Sequence, residues 1–195
     1  MDSKGEKIES LSTKNLIVDV AENLFAKFGY LGVSMSDIAK SLEMTKAALY
    51  YHFPSKEKLY LEVIEGAFSE FSDMIKKVAE GDYSVQKKFC KAIISYVDFC
   101  LDEKDLAKLT NEKYSEEDEN IVNFISRKKD EIAGQFEPIV RDILVLKKKD
   151  SISSNVATHL LIGMLNTFVL GEVLDGGKNL KSRDIAKHIN SLFFK

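Results

Sequence analysis

Scarcity comes first in this chain. Its 195 residues include two prolines, two cysteines, three histidines and no tryptophan. So few prolines leave little to interrupt long helices, and they exclude a proline-rich linker. Cys90 and Cys100 are too few for a disulfide scaffold or a four-cysteine zinc site. Ten residues apart on one helix, they stand about 15 Å apart along the axis, beyond disulfide reach. They read as free buried thiols of a reducing compartment. Arginine is also rare: Arg127, Arg141 and Arg183 stand among 28 basic residues. The net charge of −3 argues against a protein that coats nucleic acid over its whole surface. A small local DNA-binding face stays open. The N-terminus lacks the apolar stretch of a secretory signal, and no apolar run reaches membrane-spanning length. The longest, Val156 to Leu174, is broken by His159, Asn166 and Glu172. A cytoplasmic location and no membrane partner follow as expectations.

What is present is helical. Residues 1–11 are polar and expected to fray. Ser12 or Thr13 then caps a helix whose apolar stripe reads Leu16, Val20, Leu24, Phe28, ended by Gly29. Ser34 or Ser36 caps a second helix, and Thr45 a third and very short one over 46–53. Pro54-Ser55 opens a long fourth helix with Leu59, Val63, Ala67, Phe71, Ile75 and Val78 on one face. A fifth covers 84–102, with Val85, Phe89, Ile93, Tyr96 and Cys100. The acidic run Ser115–Glu119 suits a helix start, and Lys147–Lys149 a helix end. The helix between them carries Pro138, which should bend it. Further helices are expected from Val156 to Leu174, closed by Gly176-Gly177, and from Ser182 to about Phe194. No strand pattern is visible. The expectation is an all-α chain of about nine helices. A three-helix domain over 12–58 is followed by a second helical domain over 59–195.

Chemistry concentrates in Ser34–Lys58. Two short helices flank the tight Leu42-Glu43-Met44 turn, a helix-turn-helix whose second helix is narrow enough for a DNA major groove. Ile38, Ala39, Leu42, Met44 and Leu49 would join the two helices. Lys46, Ala47, Tyr50 and Tyr51 then point outward. Tyrosine hydroxyls reach phosphates, tyrosine rings touch thymine methyls, and lysine reaches guanine acceptors. Lys56 stands at a helix start, where free N–H groups attract phosphate. Lys40–Lys58 sets four lysines against Glu43 and Glu57, so the window is locally basic. The bland alternative is a structural hairpin whose tyrosines cover its own core.

Residues 16–64 resemble the DNA-binding domain of tetracycline-repressor (TetR) family regulators. The matching pieces are Ala21-Glu22-x-Leu24-Phe25, Gly29-Tyr30, Ser36-Asp37-Ile38-Ala39 and Thr45-Lys46-x-x-Leu49-Tyr50-Tyr51-His52-Phe53-x-Ser55-Lys56. The chain departs from the family at Glu43, where glycine is common, and at Ala47 and Ala48, which replace glycine and threonine. A non-glycine residue in a left-handed turn costs about 1 kcal/mol or more, so a somewhat different turn is expected. The resemblance implies base contacts from Lys46, Ala47 and Tyr50. It implies backbone contacts from Ser34, Thr45, Tyr51, His52 and Lys56. His52 is equally open to packing on the first helix.

The resemblance further implies a repressor. It would bind a palindromic double-stranded operator as a homodimer formed by the last two helices, and a small molecule would release it. Dimer candidates are Leu160, Leu161, Gly163, Leu165, Phe168, Leu192 and Phe193. Candidates for the lining of an effector pocket are Phe89, Ile93, Tyr96, Phe99, Phe124, Phe136, Met164 and Phe168. The lack of any arginine before Arg127, and of a buried basic cluster, favours a neutral or cationic apolar effector over a multiply charged anion. The long fourth helix, starting at the DNA face, would be the lever joining the two activities. The alternative from another class is an effector-free helical module that binds protein.

No catalytic or metal pattern is found. The pair Asp184–His188 reads as a surface ion pair, and His159 as a core or pocket histidine. An enzyme is not expected, nor any cofactor or metal.

Overall fold

The computed structural model describes residues 3–102, 114, 118–149, 151–174 and 181–194. Eight α-helices account for nearly all of them, and no strand occurs among the described residues. In chain order they are α1 (Ser3–Phe28), α2 (Met35–Ser41), α3 (Lys46–His52), α4 (Lys56–Glu80), α5 (Val85–Asp102), α6 (Glu119–Leu146), α7 (Ser154–Leu174) and α8 (Ser182–Phe194). Most of the acidic run at 115–117 and the glycine pair at 176–177 lie outside the described residues.

The chain divides into two compact units. One comprises residues 1–67 and 108–124, the other 68–107 and 125–195. The expected boundary at 58/59 therefore differs from the observed one. Leu59, Tyr60, Val63 and Ile64 on the first turns of α4 are buried with the first unit. α4 runs unbroken through the boundary at 67/68, Gly66 included, so it contributes residues to both units.

In the first unit α1 packs on α2, and α2 on α3. Two sequence expectations for α1 fail. The helix begins at Ser3 rather than at residue 12. Lys, Glu and Ser are tolerated in a helix, 3–11 holds no proline, and the single Gly5 weakens the helix without ending it. Its buried face is Ile17, Ala21 and Phe25, each fully buried, whereas Leu16 and Phe28 are exposed. The true stripe lies one residue along from the expected one. Gly29 ends the helix as expected, with φ of 74° and its N–H bonded to the Phe25 carbonyl.

In the second unit α5 packs along α8 and against α7. Its core is strongly aromatic. Phe71 of α4 meets Tyr96 and Phe99 of α5 and Phe136 of α6, with ring centroids 4.5 to 6.5 Å apart. Phe89 packs on Phe193 and Phe194. Pro138 sits inside α6, which continues through it. α6 ends in a turn where Lys148 has φ of 53°. The Lys147 ammonium donates to the carbonyl of Phe194 at 2.8 Å, so a lysine of the basic run closes the end of α8.

Candidate nucleic-acid interface

Local capping builds the α2–α3 pair. Ser34 is the N-cap of α2, and its hydroxyl accepts from the Asp37 N–H at 3.2 Å. The Asp37 carboxylate accepts from the Ser34 N–H at 2.9 Å and from its hydroxyl at 2.5 Å, completing a capping box. These bonds to Ser34 hold the Asp37 carboxyl below its ordinary pKa, with Lys40 and Lys46 assisting. Thr45 caps α3 by accepting from the Ala48 N–H at 3.1 Å.

The turn answers the question raised by Glu43. This residue adopts φ of 52°, the left-handed conformation a glycine would take more cheaply. The Glu43 N–H bonds to the Lys40 carbonyl at 3.2 Å, and the Met44 N–H to the Ala39 carbonyl at 3.0 Å. This is a Schellman closure. The expectation of a different turn is thus corrected: the turn is kept and Glu43 carries its strain. Two backbone bonds and the buried Ile38, Ala39 and Leu49 offset a cost of about 1 kcal/mol.

With Leu49 inward, α3 shows the expected outer face. Lys46 and Ala47 are exposed, Tyr50 is 47% exposed and Tyr51 83%. His52 is half-buried and meets the Tyr51 ring edge-on at 5.3 Å. Lys56 is more constrained than its place at a helix start implied. Its ammonium donates to the Tyr30 carbonyl at 2.9 Å and lies 4.1 Å from the centre of the Tyr30 ring. Ser34, Asp37, Tyr50 and Lys56 join Leu31 to Met35 around one open groove of about 400 Å³. Gly32 is required there, because a Cβ would stand 2.1 Å from the Phe28 carbonyl oxygen. All eight residues expected at the DNA face thus belong to the helix-turn-helix or its flanks. Ser34 and Thr45 also serve as caps.

Sequence reading missed what lies beneath this face. Tyr30, Tyr60, Phe25 and Tyr114 form an aromatic cluster with centroids 4.7 to 6.3 Å apart. The hydroxyls of Tyr60 and Tyr114 are hydrogen-bonded at 2.7 Å across 54 residues of chain. Burial, with Asp118 and Glu57 nearby, raises the Tyr30 pKa.

The other two groups of candidates divide less cleanly. Phe89, Ile93, Tyr96 and Phe136 are buried together in the second unit, and Phe99 is half-buried beside them. Tyr96 donates to Asn166 of α7, and Gln135 of α6 donates to Ser72 of α4. Burial raises the pKa of Tyr96 and pushes the half-buried Cys100 thiol up to about 12. Cys90 and Cys100 are free. Phe124 falls in the first unit, apart from this group. Met164 and Phe168 are 40% and 55% exposed, so they do not belong to an interior lining.

On α7 the exposed row is Val156, Leu160, Met164 and Phe168, each 40% exposed or more. Leu192 of α8 is 76% exposed. Gly163 lies in the same surface groove as Leu160 and Phe168. Leu161 and Leu165, expected on this face, are fully buried on the opposite side of α7. Phe193 is half-buried against Phe89. The reason is angular: one residue is 100° of helix, so 160 and 161 cannot serve one narrow contact equally. His159 is exposed too, against expectation. It holds the Asn155 carbonyl at 2.8 Å and lies 4.0 Å from Asp130. Among the described residues no group of three His, Cys, Asp or Glu side chains is placed to hold a metal ion, and no helix is long and apolar enough to cross a membrane.

Comparison with known proteins agrees with this geometry. The family described as "Bacterial regulatory proteins, tetR family" matches residues 17–63. The biofilm operon icaADBC HTH-type negative transcriptional regulator IcaR of Staphylococcus epidermidis is 39% identical over 72 residues, or 37% of this chain and 39% of that protein. The similarity thus spans about two-fifths of that relative. Likeness of fold extends further. FadR from Bacillus subtilis, solved in complex with stearoyl-CoA, superposes with a TM-score of 0.77 over 91% of this chain and 95% of its own, at 15% identity. The fatty acid degradation regulator FadR from Bacillus halodurans gives 0.71 over 92% and 93%, at 18% identity. The described relatives are transcription regulators rather than enzymes. Residues 17–63 thus match the tetR-family DNA-binding segment in sequence, and the fold is shared with solved transcriptional regulators over nine-tenths of the chain's length.

Proposed function

We propose that the protein is a ligand-responsive transcriptional repressor that binds a palindromic operator as a homodimer and is released by a small apolar effector. The observation that carries the DNA half of this reading is the outer face of α3. Lys46, Ala47, Tyr50 and Tyr51 are exposed on a helix whose orientation is fixed by capped ends and a buried Leu49. Nothing in the packing of the first unit requires two exposed tyrosines there. In this reading Lys46, Ala47 and Tyr50 address base edges. Ser34, Thr45, Tyr51, His52 and Lys56 address the phosphate backbone. The resemblance to a negative regulator over the DNA-binding segment supports repression over activation.

The exposed row on α7 supports a twofold dimer. A helix that is apolar on both faces tends to bury both, and among the described residues the second face here is left exposed. A twofold protein matches a twofold DNA site. For the effector, the aromatic interior around Phe89, Ile93, Tyr96 and Phe136 supports an apolar compound. The stearoyl-CoA complex of a protein with the same fold makes long-chain acyl compounds the first class to test. Because α4 contributes to both units, it is the element through which ligand and DNA would be coupled, and that coupling is reciprocal.

A gel shift at increasing salt, on DNA from upstream of its own gene, tests the reading. Steep loss of binding with salt, from displaced counterions, is expected. Equal, weak binding to that fragment and to unrelated DNA would overturn operator recognition and leave a protein-binding helical module as the better account.

A further inference from the structure

We propose that Tyr114 is a positioning residue for DNA binding, acting through the Tyr30–Tyr60 cluster on the Lys56 ammonium. The inference rests on the reading of Lys56 as a phosphate contact.

Lys56 is held by Tyr30, which supplies both its carbonyl at 2.9 Å and its ring face at 4.1 Å. A lysine side chain has four rotatable bonds, and fixing the head group at two points removes most of that freedom before DNA arrives. An ammonium has three donors, so two remain for phosphate oxygens. The aim of Lys56 thus depends on where the Tyr30 ring sits.

Three rings flank that of Tyr30, the first being Phe25 at 6.2 Å. Tyr60, fully buried, packs on Tyr30 at 4.7 Å. Tyr114 flanks Tyr30 at 6.3 Å and bonds its hydroxyl to that of Tyr60 at 2.7 Å. A buried hydroxyl must find a partner, so Tyr60 ties Tyr114 to the cluster. Tyr114 lies on no helix and, though far from α2 and α3 in sequence, belongs to the first unit. Asp118, also of the first unit, acts electrostatically on Tyr30. A part of the chain far from the helix-turn-helix in sequence thereby sets the aim of one of its cations.

The test is a double-mutant cycle in the full-length protein, using operator DNA across a range of salt, with thermal unfolding of every variant. Tyr114→Phe keeps the ring and removes only the hydroxyl. It is expected to lower operator affinity about 3- to 10-fold, within the range of a hydrogen-bonded contact. It should also shift the salt slope toward that of Lys56→Ala. In the Lys56→Ala background the same substitution should change operator affinity less than 2-fold, although it costs the same stability. A merely structural Tyr114 would lower stability equally in both backgrounds and affinity equally in both, and that result overturns the proposal. No affinity change with Tyr114→Phe in either background overturns it as well. If Lys56→Ala by itself keeps wild-type affinity and salt slope, the reading of Lys56 as a phosphate contact fails and takes the proposal with it. Should Tyr114→Phe fail to fold, Tyr60→Phe, which removes the other hydroxyl of the pair, is put through the same cycle.

Discussion

The outer face of α3 and the outer face of α7 both expose large side chains, and they are opposite in kind. On α3 the exposed groups are two tyrosines and a lysine, each with a polar end that water solvates. On α7 they are chiefly the apolar Val156, Leu160, Met164 and Phe168, with His159 beside them as the polar exception. The α3 face suits a partner that is itself wet and charged. The α7 face suits one as apolar as itself. The helices also differ in what orients them. α3 has seven residues and could not persist alone, so Thr45, the Glu43 turn and Leu49 decide where it points. α7 has 21 residues and is oriented by Leu161, Leu165 and Val169 in its own core.

The largest effect expected separates the two faces of α7. Leu161→Ala should destabilise the fold by about 2–5 kcal/mol, as other buried leucines do. Leu160→Glu, one residue away, should leave the monomer folded but convert the protein to monomers in sedimentation and abolish tight operator binding. If the wild type is already monomeric at micromolar concentration, the α7 face has another purpose and the contrast with α3 fails.

Tyr50→Ala sharpens the other side. It should weaken operator binding by about 1–3 kcal/mol without lowering the melting temperature, measured by fluorescence anisotropy and calorimetry. A loss of stability instead of affinity would make Tyr50 a packing residue.

The turn gives a smaller effect of opposite sign. Glu43→Gly should stabilise the protein by about 1 kcal/mol, because glycine adopts φ of 52° without steric cost. Thermal unfolding reads this directly, and a fall in melting temperature would mean that the glutamate side chain contributes more than its backbone strain removes.

The smallest effect is in pH. Asp37 has its carboxyl pKa lowered by Ser34 in the folded state. Its contribution to the fold is therefore complete above the ordinary carboxylate pKa and lost as pH falls through the lowered one. Asp37→Asn should flatten that part of the acid limb of stability. An unchanged limb would show that the capping box is not maintained in solution.

Legibility from sequence varied with how much the answer depended on neighbours. The α2–α3 pair was readable because its instructions are local: a cap at Ser34, a cap at Thr45, and one buried leucine four residues on. α1 was readable as a helix but not in phase. Leu16, Val20, Leu24 and Phe28 make one apolar row, and Ile17, Ala21 and Phe25 make another beside it. Periodicity cannot choose between them, and packing on α2 chose the second. α7 repeats the ambiguity with Leu160 and Leu161. Glu43 was misjudged for a related reason: its side chain disfavours the left-handed turn, but the Schellman bonds and the core of the helix pair outweigh that preference.

By itself, then, the sequence determined an all-helical chain, the place of the helix-turn-helix and the side chains on its outer face. Those follow from breakers, caps and spacing within about 25 residues. Tertiary structure decided which of two apolar rows is core on α1 and α7. It also assigned Leu59–Ile64 to the first unit and held Lys56 on Tyr30 above a tyrosine cluster completed by Tyr114. The physical reason is that hydrophobic burial is non-directional, so an apolar residue accepts any apolar neighbour the fold provides. A cap or a turn is made by bonds of fixed reach and angle, and these can be read from a few residues alone.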